Sequence, residues 1–280
     1  WKTTDYAATW TPLTDGMPRI GVSDMVVNYN NTDEMYLLTG DGDGGDVNSI
    51  GILKTSDGGE TWTNTGFSVD VTSNYRYYKL IMHPTNPDIQ LAVGNAGILR
   101  TNDAWTSYST VQSGLFYDIE FKPGDPTIMY ACTGNKFYRS TNTGATWTQI
   151  TSGVPTSGTR MAIGVSVNNP AYVYLFAGPS YTVGTFVGMY RSYDSGLNFY
   201  TKSTTPNILG YSSTGNDSDD QTTYDHALVI NKDNVAQMIT GGINTWKSTD
   251  FGANWANTSV WNNPPGVNYT HADIHALEQN

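Results

Sequence analysis

Residues 54–62 read KTSDGGETW, and the chain returns to this stretch in altered form. Acids, glycines, hydroxyls and a tryptophan crowded into so short a segment could be a reactive site or a structural corner. Recurrence decides between the two. A frame S/T-x-D-x-G-x-T/N/S-aromatic fits the sequence six times. The cleanest copies are Thr55-x-Asp57-x-Gly59-x-Thr61-Trp62 and Ser248-x-Asp250-x-Gly252-x-Asn254-Trp255, and Ser192-x-Asp194-x-Gly196-x-Asn198-Phe199 changes only the aromatic. Thr3-x-Asp5-x-Ala7-x-Thr9-Trp10 replaces the glycine and Ser140-x-Asn142-x-Gly144-x-Thr146-Trp147 the acid. Thr101-x-Asp103-x-Trp105-x-Ser107-Tyr108 loses the glycine and the tryptophan together. A catalytic group has no reason to recur once per repeat. The frames therefore read as turns, in which a carboxylate accepts hydrogen bonds from nearby amides, the glycine takes positive φ and the aromatic wedges into the fold.

What flanks each frame points the same way. An aromatic residue or leucine followed by a base precedes every copy: Trp1-Lys2, Leu53-Lys54, Leu99-Arg100, Tyr138-Arg139, Tyr190-Arg191 and Trp246-Lys247. These read as strand ends with period-2 alternation. Between frames come KLIMHPTNPDIQLAVGN, DIEFKPGDPTIMYACTG, AIGVSVNNPAYVYLFAG and ALVINKDNVAQMITGG, each two apolar runs divided by a turn, as in an antiparallel hairpin. Frames recurring 39 to 56 residues apart suit four-stranded blades arrayed radially. The expected fold is all-β, a β-propeller of four-stranded antiparallel blades in which each frame joins the third strand to the fourth. Residues 1–280 are expected to form a single propeller domain with partial blades at both ends, an excerpt of a longer chain. Six frames set a floor on the blade number, and seven is the expectation for the intact ring.

Composition agrees. The 19 tyrosines, 8 tryptophans and 29 glycines favour strands and tight turns. A net charge of −11, from 14 Lys and Arg against 25 Asp and Glu, disfavours nucleic acid and anionic membrane surfaces as partners. No apolar run is long enough to span a bilayer. The single cysteine, Cys132, lies in the apolar run IMYACTG and is expected to be a small buried hydrophobe. A signal segment, if the protein is exported, lies outside these residues.

The frames resemble the Asp-box, or BNR, repeats of sialidases, Vps10/sortilin-type receptors and xyloglucan-degrading glycosidases. TWTPLTDG, TGDGDGGDVNSIGILKTSDGGETW, FKPGDP and THADIHALE are also similar to propeller modules of large secreted, surface-associated bacterial proteins, many of which carry a sorting domain for type 9 secretion. The resemblance implies structural roles for Asp5, Asp57, Asp103, Asn142, Asp194 and Asp250, an extracellular or cell-surface location, and partners that include other domains of a larger surface protein or assembly. It also implies that the frames occupy one rim, and that loops leading into the first strand of each blade occupy the other, where function should lie.

Four candidates fall off the frames. Asp41, Asp43 and Asp46 in TGDGDGGD could offer hard oxygen ligands to calcium, although their spacing departs from the EF-hand. His271, Asp273 and His275 alternate, so an extended backbone would set them on one face for a divalent metal or a sugar. The polar stretch GYSSTGNDSDDQTTYDHALVI carries Asp217, Asp219, Asp220, Tyr224, Asp225 and His226, and its length suggests a functional loop. Tyr75, Tyr77, Tyr78, Phe116, Tyr117, Tyr181, Tyr211, Trp261 and Tyr269 fall near the same rim, with fewer than half expected to be exposed. Tyr77, Tyr117, Tyr211, Tyr224, Trp261 and Tyr269 form the expected binding set, since aromatic faces stack on sugars and anchor proteins.

A sialidase would need three converging arginines. Arg100, Arg139 and Arg191 belong to the frames, leaving Arg19, Arg76 and Arg160. A xyloglucanase-like glycosidase needs two carboxylates across a cleft, and Asp41 or Asp43 with Asp225 or Asp273 is the pairing this resemblance implies, beside channel acids Asp24 and Asp118 of structural character. The reading favoured by the sequence is a binding module, without demonstrable catalysis, that takes a protein or carbohydrate ligand. No cofactor is fixed by these residues, and calcium at the acidic loop is the candidate.

Overall fold

The computed structural model describes residues 1–15, 17, 21–42, 46–179 and 185–279. Arg19, Asp43 and Tyr181 lie outside the described residues. The chain divides into two compact units, Trp1–Gly114 and Leu115–Asn280.

The first unit holds β1 (Val22–Val27), β2 (Met35–Thr39), β3 (Gly51–Thr55) and β4 (Thr63–Ser68) in one sheet, and β5 (Tyr77–Met82), β6 (Gln90–Gly94), β7 (Gly97–Thr101) and β8 (Ser109–Gln112) in the next. Ahead of them Lys2 and Thr11 pair as an isolated bridge around the first frame. The second unit holds three sheets. They are β9 (Asp118–Phe121) to β10 (Met129–Cys132), β11 (Phe137–Ser140) and β12 (Thr148–Ile150), then β13 (Met161–Val165), β14 (Val173–Ala177), β15 (Gly188–Ser192) and β16 (Tyr200–Ser203). The last contains β17 (Ala227–Ile230), β18 (Met238–Gly241), β19 (Thr245–Ser248) and β20 (Ala256–Ser259). All five sheets are antiparallel with strands in sequence order. Among the described residues no helix is long and apolar enough to cross a membrane.

The second strands are more apolar than period-2 alternation allows, and β14 shows why. Every residue of VYLFA is buried. Val173, Leu175 and Ala177 pack with Tyr130, Phe137 and Ile163, while Tyr174 and Phe176 pack with Ile230, Met238 and Trp246 on the other side. A strand between two sheets has no solvent face, so it reads as a continuous apolar run. Cys132 is fully buried and its Sγ lies 3.3 Å from the Met161 carbonyl oxygen.

Two first-strand acids tie neighbouring sheets together. Asp24 accepts from the Met25 amide at 2.8 Å and, across to the next sheet, from the Leu80 amide at 2.8 Å. Asp118 does the same with Ile119 at 2.8 Å and Ile163 at 2.7 Å. The structural character expected of both acids is thus explained: each oxygen serves an amide on a different sheet.

Five frames join the third strand of a sheet to the fourth, the first is spanned by the Lys2–Thr11 bridge, and all six share one hydrogen-bond pattern. In the copy that opens the chain's clearest repeat, the Thr55 hydroxyl donates to Asp57 Oδ1 at 2.6 Å and accepts from the Gly59 amide at 3.0 Å. The Thr61 amide and hydroxyl then donate to the two Asp57 oxygens at 2.9 and 2.6 Å. The degenerate third copy repeats this with Thr101, Asp103, Trp105 and Ser107. Where Asn142 replaces the acid, its Oδ1 accepts from the Thr146 amide at 2.9 Å and its Nδ2 donates to Thr146 Oγ1 at 2.9 Å. The fourth and fifth positions take positive φ throughout, including Ala7 at 68° and Trp105 at 65°. The preceding base has a use as well: Lys2 Nζ donates to the Gly58 carbonyl at 3.0 Å and Arg139 Nε to the Ser195 carbonyl at 2.8 Å, in each case the fourth position of the following frame.

These bonds favour the charged carboxylate. Hydrogen bonds from Thr9 and then Thr3 pull Asp5 down to about 2. Bonds from Thr55 and Thr61 hold Asp57, and those from Ser107 and Thr101 hold Asp103, below the ordinary range. A depressed carboxylate contributes stability above its unfolded pKa and loses it as pH falls through the folded value. The urea midpoint is therefore expected to fall steadily from about pH 5 to about pH 2, and D57N is expected to flatten that slope. An unchanged slope in D57N would contradict the assignment.

Candidate binding rim

In an antiparallel sheet, the β1–β2 and β3–β4 type turns share one end, whereas the β2–β3 type turns and the lead into each first strand share the other. The frames thus mark one end of every sheet. The loop after β2, the β16–β17 connection, the β18–β19 turn and the segment after β20 lie at the opposite ends of their own sheets.

At the fifth sheet this end carries an aromatic pair. The rings of Tyr211 and Trp261 meet edge to face at 5.5 Å and 75°, with 37% and 39% of each residue exposed. Both are pinned. Trp261 Nε1 donates to the Tyr211 carbonyl at 3.2 Å, and Gln221 Nε2 donates to the Tyr211 hydroxyl at 3.0 Å. Buried Asn244 organises the pair: its Nδ2 donates to the Gly210 and Tyr211 carbonyls at 3.0 and 3.1 Å, and its Oδ1 accepts from the Trp261 amide at 3.1 Å. The sequence offered no signal for Asn244, because its partners are 17 to 34 residues away. Tyr269 is exposed next to the Val260–Tyr269 bridge. Tyr224 is exposed and meets His275 edge to face at 4.7 Å. The long connection is ordered by Asn207, whose Nδ2 reaches the Asp217 and Asp219 carbonyls at 3.2 and 3.0 Å, while Asp217 Oδ2 accepts from the Ser212 amide at 2.8 Å.

Asp225 and His226 sit beneath this rim. Asp225 is 1% exposed and its Oδ2 makes no hydrogen bond to protein. Burial, followed by the Asp273 charge, pushes its carboxyl up to about 7, tempered by the amides of Asp225 and Asp273 and by Arg160. His226 is buried and stacks on Phe176 at 4.2 Å. Burial and then Arg160 hold its imidazole well below the usual range, so it is neutral at pH 7. Arg160 Nη1 donates to the Thr223 and Tyr224 carbonyls at 3.3 Å, and its guanidinium lies 5.6 Å from the Tyr117 ring.

Several expectations are corrected. Tyr77 is buried against Phe67, 5.3 Å between rings, so it packs the core and offers no binding face. Phe116 is buried as well, and Tyr75, Tyr78 and Tyr117 are half-buried, so that fewer than half of the described aromatics in that set are exposed, as expected. The extended strand expected over THADIHALE is not formed. Residues 271–279 hold no strand and Asp273 takes a φ of 73°, which breaks the alternation that would align His271, Asp273 and His275. His271 instead has Nδ1 2.8 Å from the Ala272 carbonyl oxygen. Asp41 Oδ2 accepts from the Asp46 amide at 3.0 Å, closing its own loop. Among the described residues no three His, Cys, Asp or Glu side chains gather as a metal site. Asp41 belongs to the first unit, Asp225 and Asp273 to the second. Of the arginines weighed for a sialidase, Arg76 lies in the first unit and Arg160 is held at the rim of the second.

No protein-family model matches the chain, and no curated protein matches it in sequence. Solved structures do. An ancestral GH74 enzyme superposes with a TM-score of 0.61 at 18% identity, over 90% of this chain and 32% of its own. The GH74 enzyme of Niastella koreensis gives 0.59 at 18% identity, and the GH74 xyloglucanase of Xanthomonas campestris 0.57 at 15%, each over 85% of this chain and 38% of its own. The fold is a β-propeller. This propeller chain spans about a third of the length of the glycosidases it resembles, and at such identities the likeness concerns the fold alone.

Proposed function

We propose that the frames are Asp-box repeats and that this propeller is a secreted or cell-surface module that binds a protein or glycan ligand through the rim opposite them. The observation that carries this reading is the Tyr211–Trp261 pair, exposed yet held by hydrogen bonds from Asn244, Gln221 and Trp261 itself. Aromatic side chains fixed before a ligand arrives lose little entropy on binding and supply large contact area. The acidic, lysine-poor surface suits an exported soluble module. Screening the chain on a glycan array and against cell-surface protein extracts, with and without calcium, is the test. W261A is expected to weaken the ligand found at least tenfold without moving the unfolding midpoint, as for a central aromatic contact. Binding by W261A equal to the parent chain would remove the rim from consideration.

A second reading, hydrolysis of a β-glucan, is favoured by one observation: the buried Asp225 carboxyl lies beside a second acid, Asp273, and burial with that charge pushes it up. An acid so placed is suited to protonate a leaving oxygen. Release of reducing ends from xyloglucan, abolished in both D225N and D273N, would replace the binding reading.

A further inference from the structure

We propose that residues 271–279 form a pH-sensitive strap, seated on the fifth sheet while Asp225 is protonated and released once Asp225 and Asp273 are both charged. The inference goes beyond ligand binding and stands whichever ligand the rim takes. The segment has no strand pairing of its own. It is held by the Ile274 amide donating to the Gly242 carbonyl at 3.1 Å, by the Lys232 amide donating to Gln279 Oε1 at 2.6 Å and by the edge of His275 against Tyr224. Ile274 also seats on Gly241, where a Cβ would lie 2.5 Å from its Cγ2. Its fit is incomplete. A cavity of about 190 Å³ separates Val229, Ile239 and Lys247 of the sheet from Glu278 and Gln279 of the segment.

Asp225 lies under this strap. Its Oδ1 is 3.7 Å from the position a Gly242 Cβ would take, and its buried Oδ2 makes no hydrogen bond to protein. The groups that face it are Asp273 from the strap, Arg160 from the lead into β13 and neutral His226 beside it in the chain. Burial and then the Asp273 charge raise the cost of charging Asp225, and the Asp225 and Asp273 amides and Arg160 only partly offset them. Buried carboxyls are ordinarily hydrogen-bonded or neutral, and here one oxygen, Oδ2, has no partner in the protein, which favours the neutral form. An acid raised in the seated state binds its proton more tightly there. Seating is strongest below the ordinary carboxylate pKa and is lost as pH rises through about 7. Release uncovers Gly241, Gly242 and the Asp225 carboxylate at the rim.

Hydrogen exchange read by mass spectrometry on the whole chain tests this. After correction for the intrinsic rate, protection of residues 271–279 is expected to fall by roughly tenfold between about pH 6 and about pH 8 and to level off above, since each pH unit between the unseated and the seated pKa costs about a factor of ten. D225N, which keeps the shape and removes the charge, is expected to hold protection nearly constant over that range. D273N, on the partly exposed strap, serves should D225N not fold, and is expected to reduce the slope. Flat protection in the parent chain, or a parental slope in a folded D225N or D273N, overturns the proposal.

Discussion

Truncating Trp105 to alanine is expected to lower the unfolding free energy by about 4 kcal/mol, the range for a fully buried tryptophan, and to lower Tm by on the order of 10 °C. Trp105 is completely buried and packs 6.0 Å from the Phe67 ring. Its Nε1 donates to Gln90 Oε1 at 2.8 Å, and Gln90 is itself fully buried. Removal therefore leaves a cavity and an unsatisfied acceptor. The residue also occupies a left-handed position, φ 65°, where four of the other frames place glycine. A side chain costs roughly 1–2 kcal/mol in that conformation. W105G is consequently expected to be no less stable than W105A, the reverse of the usual order. Chemical denaturation of both variants reads this directly. A loss below about 2 kcal/mol in W105A would show that core burial does not govern this position, and a W105G clearly worse than W105A would show that left-handed strain does not.

Asp118→Ala is expected to cost about 3 kcal/mol, because two amides on different sheets lose their acceptor and each orphaned buried donor costs roughly 1–3 kcal/mol. D24A is expected to cost less, since Asp24 is half-buried and water can replace the lost oxygen. D118N retains one acceptor and should fall between. Equal midpoints for D118A and the parent chain would mean that the bond from the Ile163 amide carries no net stability.

The blade corners were legible in the sequence because the bonds between each acid and its hydroxyl and amide partners span no more than four residues. Even the third frame, stripped of glycine and tryptophan, kept Thr101, Asp103 and Ser107, the groups that make the bonds. The rim was only partly legible. Tyr211, Tyr224, Trp261 and Tyr269 are exposed as expected, but Tyr77 points inward, a matter of which face of β5 meets the neighbouring sheet. The partners of Asp24 and Asp118 lie 56 and 45 residues away, and those of Asn244 as far as 34. No local pattern announces bonds of that span. The His271–Asp273–His275 alternation misled because it presumed an extended backbone, and a single positive φ at Asp273 removes that premise.

The corner chemistry also bears on how such a chain could grow. In every frame the carboxylate or amide at the third position and the hydroxyl at the first are satisfied from inside the frame, and two of the bases ahead of them ask the next frame only for a backbone carbonyl, Lys2 of Gly58 and Arg139 of Ser195. A duplicated or deleted repeat would then find a compatible neighbour without matched substitutions elsewhere, leaving the far loops to diverge in length and chemistry at little cost to the scaffold.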